Sequence, residues 1–171
     1  MNRKYICDGE KYEIGGPKGD TIGLPVFFKD LPQNIEVNGS NLLLKDAFHV
    51  SLVCIGKIIE KHSVQIPEFV NNVIEDFCAF VQHNPIELIC FRDEFRFVEE
   101  NERSSVVAMC DISNLDKFFI HLNRKYSLNL EYPPTHATLY TLQPNKGIFL
   151  IDAVDMKKLT TDLNDENIAK T

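Results

Sequence analysis

The sequence has no tryptophan, no cysteine pair at CxxC spacing, and no HxxxH or HExxH motif among its five histidines. Those missing spacings remove the commonest zinc sites, whose ligands cluster at short intervals. No glycine-rich loop of the Walker or dinucleotide-binding type occurs, so a phosphate cradle of that kind is not expected. No apolar run nears the roughly 18 residues of a membrane span. The first residues, MNRKYICDGEKYE, lack the apolar core of a signal peptide. The expectation is a soluble, cytoplasmic, monomeric protein that needs neither metal nor cofactor.

Positive charge is also in short supply. Eighteen Lys and Arg stand against 25 Asp and Glu, a formal net charge of −7. Proteins that grip long nucleic acid usually carry a basic surface, because neutralising phosphates drives that affinity. Long nucleic acid is therefore excluded as the main partner. A small phosphorylated ligand or a nucleic-acid end is not, since a local site can be positive inside an acidic protein. The five cysteines are Cys7, Cys54, Cys78, Cys90 and Cys110. The last four lie in apolar runs, where thiols act as small hydrophobes. They read as reduced structural thiols rather than disulfides or metal ligands.

What is present is enough for one domain. The chain has 171 residues, 44% of them apolar, which allows a substantial core, either single or shared between two lobes. Residues 1–43 read as an N-terminal extension, with 1–21 irregular or a short hairpin and 21–29 β-prone. Asn38-Gly39 marks a hairpin turn within 35–45. Residues 48–55 read as a buried strand. Apolar residues at helical spacing, with Pro67 in the first turn, predict a helix over 66–81, stopped by Pro85. Three strands follow, at 86–91, 95–99 and 105–111, with a hairpin loop at 100–104. Residues 114–126 predict a second helix with Leu115, Phe118, Phe119 and Leu122 as its apolar stripe and Ser113 or Asn114 as cap. Strands at 136–142 and 148–151 and a polar tail at 152–171, frayed in part, complete the chain. Few helices among mostly antiparallel strands make the fold class α+β.

Two of these strands share a pattern: His49-Val50-Ser51-Leu52 and His136-Ala137-Thr138-Leu139. Residues two apart on a strand point to one face. Each segment thus offers an imidazole and a hydroxyl on one side and apolar anchors on the other. This suits phosphodiester cleavage. One neutral imidazole takes a proton from the attacking oxygen and one imidazolium gives a proton to the leaving oxygen. The hydroxyls donate to non-bridging phosphate oxygens as charge builds. A single H-x-[S/T] in a strand means little; the second copy, 87 residues on and again followed by Leu, gives the pattern weight.

These residues resemble the paired H-h-[S/T]-h motifs of the two-histidine phosphoesterase superfamily, which includes the RNA 2′,3′-cyclic phosphodiesterases, also called 2′-5′ RNA ligase-like proteins. The resemblance covers roughly residues 44–150, with YPPTHATLYTLQPNKGIFL similar to the second-motif region of some bacterial members. Ser51 stands where many members have Thr. The resemblance implies a bilobal α+β fold with pseudo-two-fold symmetry, one antiparallel sheet per lobe, and a central cleft. It implies a metal-independent hydrolase opening cyclic phosphodiesters, in particular 2′,3′-cyclic phosphates of nucleotides or RNA ends. His49 and His136 would be the acid–base pair, and Ser51 and Thr138 the phosphate-binding hydroxyls. Trimming of RNA 3′ ends and a non-catalytic nucleotide or RNA-end binding module stand as alternatives.

Further residues are candidates for substrate contact. Tyr140 shares strand parity with His136 and Thr138, which sends it toward the cleft to stack on a base or leaves it an edge aromatic. Arg103, at the 100–104 hairpin, either reaches a substrate phosphate or is a solvated turn residue. Tyr5 and Lys57 are weaker candidates. His62, His83 and His121 lack a hydroxyl two residues on and read as non-functional.

Overall fold

The computed structural model describes residues 4–7, 9–163 and 168–169. In chain order its elements are β1 (Lys4–Ile6), β2 (Tyr12–Gly15), β3 (Thr21–Val26), β4 (Asn34–Val37), β5 (Ser40–Leu44), β6 (Phe48–Cys54), α1 (Ile55–His62), α2 (Phe69–Val81), β7 (Leu88–Glu100), β8 (Arg103–Ile112), α3 (Leu115–Tyr126), β9 (His136–Thr141), α4 (Ala153–Leu159), β10 (Thr160–Asp162) and β11 (Ile168–Ala169). The α+β class holds. Among the described residues no helix is long and apolar enough to cross a membrane.

The strands form one hydrogen-bonded, antiparallel sheet rather than the two expected. The join is the pairing of β6 with β9, the two motif strands. On one side the sheet runs outward through β3 and β2 to β1, and on the other through β8 and β7 to β10. Each motif strand is thus innermost in a run of four strands, and β9 also carries β5, β4 and β11. The β4–β5 hairpin shares the β6 edge of β9, with Leu43 opposite Thr141 and Leu44 opposite Tyr140. Its turn is Asn38-Gly39, where φ is positive at both residues, 48° and 79°, as the handed twist of a two-residue hairpin requires.

One face of the sheet is packed by helices. Phe69, Val73 and Phe77 of α2 and Leu115, Phe118, Phe119 and Leu122 of α3 bury themselves against Val50, Leu52, Ala137 and Ile22. Burying a large apolar side chain contributes roughly 1.5–3 kcal/mol, so this layer is the main source of cohesion. The opposite face is covered only in part: Ile148 and Leu150 pack on Val98, Val107 and Met109, joined by Met156 and Leu159 of α4.

Several expectations need correction. Residues 55–62 form α1, whose Ile55 and Ile58 enter the helical core. Residues 148–151 form no strand: Ile148 and Leu150 pack on the sheet's face, against Val98, Val107 and Met109. In the polar tail, Ala153–Leu159 form α4 and Thr160–Asp162 form β10, with Asp152 accepting from Asp155 N as the N-cap, while 164–167 and 170–171 lie outside the described residues. The strands expected at 86–91 and 95–99 are one strand, β7, with an irregularity between Phe91 and Phe95. Asn114 does not cap α3 with its side chain; its amide donates instead to Pro85 O, 2.8 Å away.

The thiols also differ. Cys7 and Cys78 form a disulfide across a sequence separation of 71, while Cys54, Cys90 and Cys110 are free. Ile6 and Cys7 pack beside the cluster containing Phe77, which brings the two Cα atoms to 5.2 Å. Cys78 is therefore not the reduced thiol expected; such bonds persist in oxidising compartments.

Candidate functional site

Val50 and Ala137 are partners across β6 and β9. Residues flanking such a pair in an antiparallel ladder oppose one another crosswise. His49 therefore lies opposite Thr138, and Ser51 opposite His136. Because Val50 and Ala137 point into the helical core, alternation sends all four polar side chains to the opposite face. The neighbouring strands extend them into two rows. One runs Glu13, Gly23, Ser51, His136, Met109, and the other Pro25, His49, Thr138, Val107. His49 and His136 are diagonal neighbours, a relation that sets Cα atoms about 7–8 Å apart.

Each motif strand carries one unmatched residue immediately after its hydroxyl. Gly23 pairs Ser51 and Ile22 pairs Val53, which leaves Leu52 over. Val107 pairs Thr138 and Val106 pairs Tyr140, which leaves Leu139 over. Such a bulge resets the alternation beyond it. Leu52 and Val53 both enter the helical core, and Leu139 and Tyr140 both enter a cluster with Ile35, Leu42, Phe97 and Val106. Tyr140 is therefore not in the cleft, contrary to its parity in sequence. It is buried, and its hydroxyl donates to Pro32 O at 2.9 Å.

His136 is 9% exposed. Its Nδ1 lies 2.7 Å from Pro134 O. A carbonyl only accepts, so Nδ1 carries the hydrogen and Nε2 is left as the acceptor of the neutral ring. Burial lowers its pKa below the ordinary imidazole value, the Pro134 bond opposes this, and the charge of Lys45 adds to the lowering. His49 is more open, with its side chain 37% exposed, and its Nδ1 stands 3.8 Å from Glu13 Oε1. A carboxylate at that range balances the charge of an imidazolium. Gly23 lies between the two: a methyl there would be in ordinary contact with His49 Cδ2 at 3.4 Å and Glu13 Cγ at 3.5 Å.

The hydroxyls are half-buried. Ser51 is in hydrogen-bonding contact with the Cys54 thiol, which burial and then Asp20 push up to about 12. Thr138 lies under Gly147, where a methyl would come within 3.6 Å of its Oγ1. Lys45 joins the group from the end of β5. Its backbone N donates to Leu139 O at 2.9 Å, and its ammonium interacts with Glu13 and with His136. Burial lowers the Lys45 pKa, with Glu13 opposing. Glu13 and Lys45 were not singled out in the sequence; neither belongs to a motif, and only strand alternation after Leu44 hinted at the direction of Lys45.

Of two cavities, one is lined by a residue of the rows, Ser51, and the other by none of them. Ser51, Leu52, Cys54, His62, Pro133 and Leu150 are among the lining of one, of about 100 Å³. The wider, of about 540 Å³, includes Lys57, Lys61, Arg103 and Phe149 in its lining. Neither is lined by His49 or His136. Arg103 opens onto the wider cavity, away from His49 and His136, with its Nη1 donating to Gly147 O at 3.5 Å. His121 stacks on Phe118, and His83 is exposed. Tyr5 lies on β1, near the sheet's edge. Among the described residues, no three His, Cys, Asp or Glu side chains converge as metal ligands would. Compared with known family models, characterised proteins and solved structures, the chain matches none.

Proposed function

We propose that the chain is a metal-independent phosphodiesterase that opens cyclic phosphodiesters, in particular 2′,3′-cyclic phosphates on nucleotides or RNA ends. The observation that carries this reading is the Val50–Ala137 pairing, which sets two imidazoles and two hydroxyls on one face of two adjacent strands. The resemblance of both motifs to the two-histidine phosphoesterases, and the run of four strands outward from each motif strand, support the finer reading of a pseudo-symmetric two-histidine fold.

The environments divide the roles. His136, kept neutral by burial with Nε2 as acceptor, is the general base. His49, beside Glu13, is the general acid in its protonated form. Water attacks phosphorus as His136 Nε2 takes its proton. The new P–O bond forms, one bridging P–O bond breaks, and His49 gives its proton to the departing ribose oxygen. The product is a phosphomonoester, and solvent exchange resets both rings. Ser51 and Thr138 donate to the non-bridging oxygens as charge accumulates.

The test is steady-state hydrolysis of the nucleoside 2′,3′-cyclic monophosphates and a short RNA with a cyclic end, in EDTA. His49→Ala and His136→Ala should each lose about 10²-fold or more in rate, as removal of a proton-transfer group does. Abolition of wild-type turnover by EDTA would overturn the mechanism. Stepwise shortening of the RNA would point instead to 3′-end trimming. The burial of His136 favours one further reading, a nucleotide or RNA-end binding module; binding of cyclic nucleotide with no turnover by wild type would select it.

A further inference from the structure

Lys45 belongs to no motif, yet the fold places it with the motif histidines. Leu42 and Leu44 of β5 pack into the cluster around Leu139 and Tyr140. Alternation then turns Lys45 to the other face, the one bearing His136 and Thr138. The bond from Lys45 N to Leu139 O holds its backbone alongside the second motif. Its positive charge lowers the pKa of His136, and the charge of Glu13, which stands beside His49, raises that of Lys45. The backbone thus sets this cation alongside the second motif, and its charge is felt at His136.

The charges also match an anion. With His49 protonated and His136 neutral, Glu13 and Lys45 cancel, and the cluster carries one positive charge. A phosphodiester monoanion closes it to neutrality and gives the half-buried ammonium a second anionic partner. Two other cations lie in ion pairs: Lys61 with Asp152 and Lys57 with Glu60. We infer that Lys45 is the cation that receives the anionic phosphate of the substrate. This rests on the reading of His49 and His136 as the phosphodiesterase pair.

Inorganic phosphate is the probe, titrated by calorimetry into wild type, Lys45→Met, Lys45→Arg and Lys117→Met. Lys117 is exposed on α3, on the helical side, and its replacement removes the same net charge. Lys45→Met should weaken phosphate about tenfold to 10²-fold, the range of one hydrogen bond to a charged group. Lys45→Arg should restore most of the affinity, and Lys117→Met should leave it unchanged. The KM for a cyclic nucleotide should rise in Lys45→Met by the same factor. Thermal melts check the fold, and Lys45→Gln replaces Lys45→Met should the latter not fold. Unchanged phosphate affinity in a folded Lys45→Met or Lys45→Gln overturns the inference, as does a wild type that binds no phosphate. If wild type turns over no cyclic phosphate yet loses phosphate binding on Lys45→Met, the catalytic reading fails and the Lys45 anion site stands. If wild type is active and Lys45→Met is unaltered in KM and phosphate binding, the reverse holds.

Discussion

Leu52 and Leu139 hold equivalent places: each is the unmatched residue of a bulge immediately after a histidine and a hydroxyl on one face of its strand. The two bulges flank the join between β6 and β9 on its outer sides, against β3 and β8. Each lets the polar pair face outward while the next two residues both turn to the apolar side. The duplication seen in sequence is thus also a duplication of backbone form.

Thr138 should contribute to turnover and not to folding. Thr138→Val, nearly isosteric, should lower kcat for a 2′,3′-cyclic nucleotide by roughly 10²-fold, the effect of removing one preorganised donor. Its melting temperature should stay at the wild-type value. An unchanged kcat would assign the hydroxyl a structural role.

The pH profile of kcat/KM should be bell-shaped, because one ring must be neutral while the other is protonated. Burial depresses the pKa of His136 below 6.5, so the acid limb should fall below that value. Glu13 and Lys45 face the pair, and Lys45→Met should shift the acid limb upward, since the Lys45 charge helps hold His136 neutral. A limb unmoved in this variant would separate the two groups electrostatically.

The same depression is a stability term. The unfolded chain binds a proton on this imidazole near pH 6.5, before the folded chain does. Stability is therefore full above that pH and declines as pH falls from about 6.5 to the lower folded value. His136→Gln should flatten this part of the curve, measured by urea unfolding at a series of pH values.

Tyr140→Phe should cost stability and spare activity. The change deletes the bond to Pro32 O in a buried setting, worth about 0.5–1.5 kcal/mol. Loss of turnover without loss of stability would return Tyr140 to the substrate cleft.

Reducing the Cys7–Cys78 bond, or making Cys7→Ser with Cys78→Ser, should lower stability by about 2–4 kcal/mol, typical of removing such a cross-link. Denaturant melts with and without reductant check this. Identical curves would show that the bond adds nothing to cohesion.

Much of this protein is local and so legible in the sequence. Helical spacing located α2 and α3, Asn38-Gly39 located the β4–β5 turn, and strand parity put an imidazole with a hydroxyl on one side of each motif. These follow from the covalent periodicity of helix and strand, which needs no partner. What needed a partner was not legible. That β6 and β9 pair directly, making one sheet of two expected ones, is a cross-strand choice that no segment records alone. The bulge at Leu139 is a mismatch between two strands, so parity read along one of them sent Tyr140 to the wrong face. Residues 148–151 have the composition of a strand, but β8 and the β6–β5 edge already take both sides of β9, and the segment covers a face instead. Helix α1 begins in a β-branched run at the end of β6 and holds its form because Ile55 and Ile58 find the core. Glu13, Lys45 and the Cys7–Cys78 bond come from stretches with no motif, and only the folded chain brings them to the histidines and to α2.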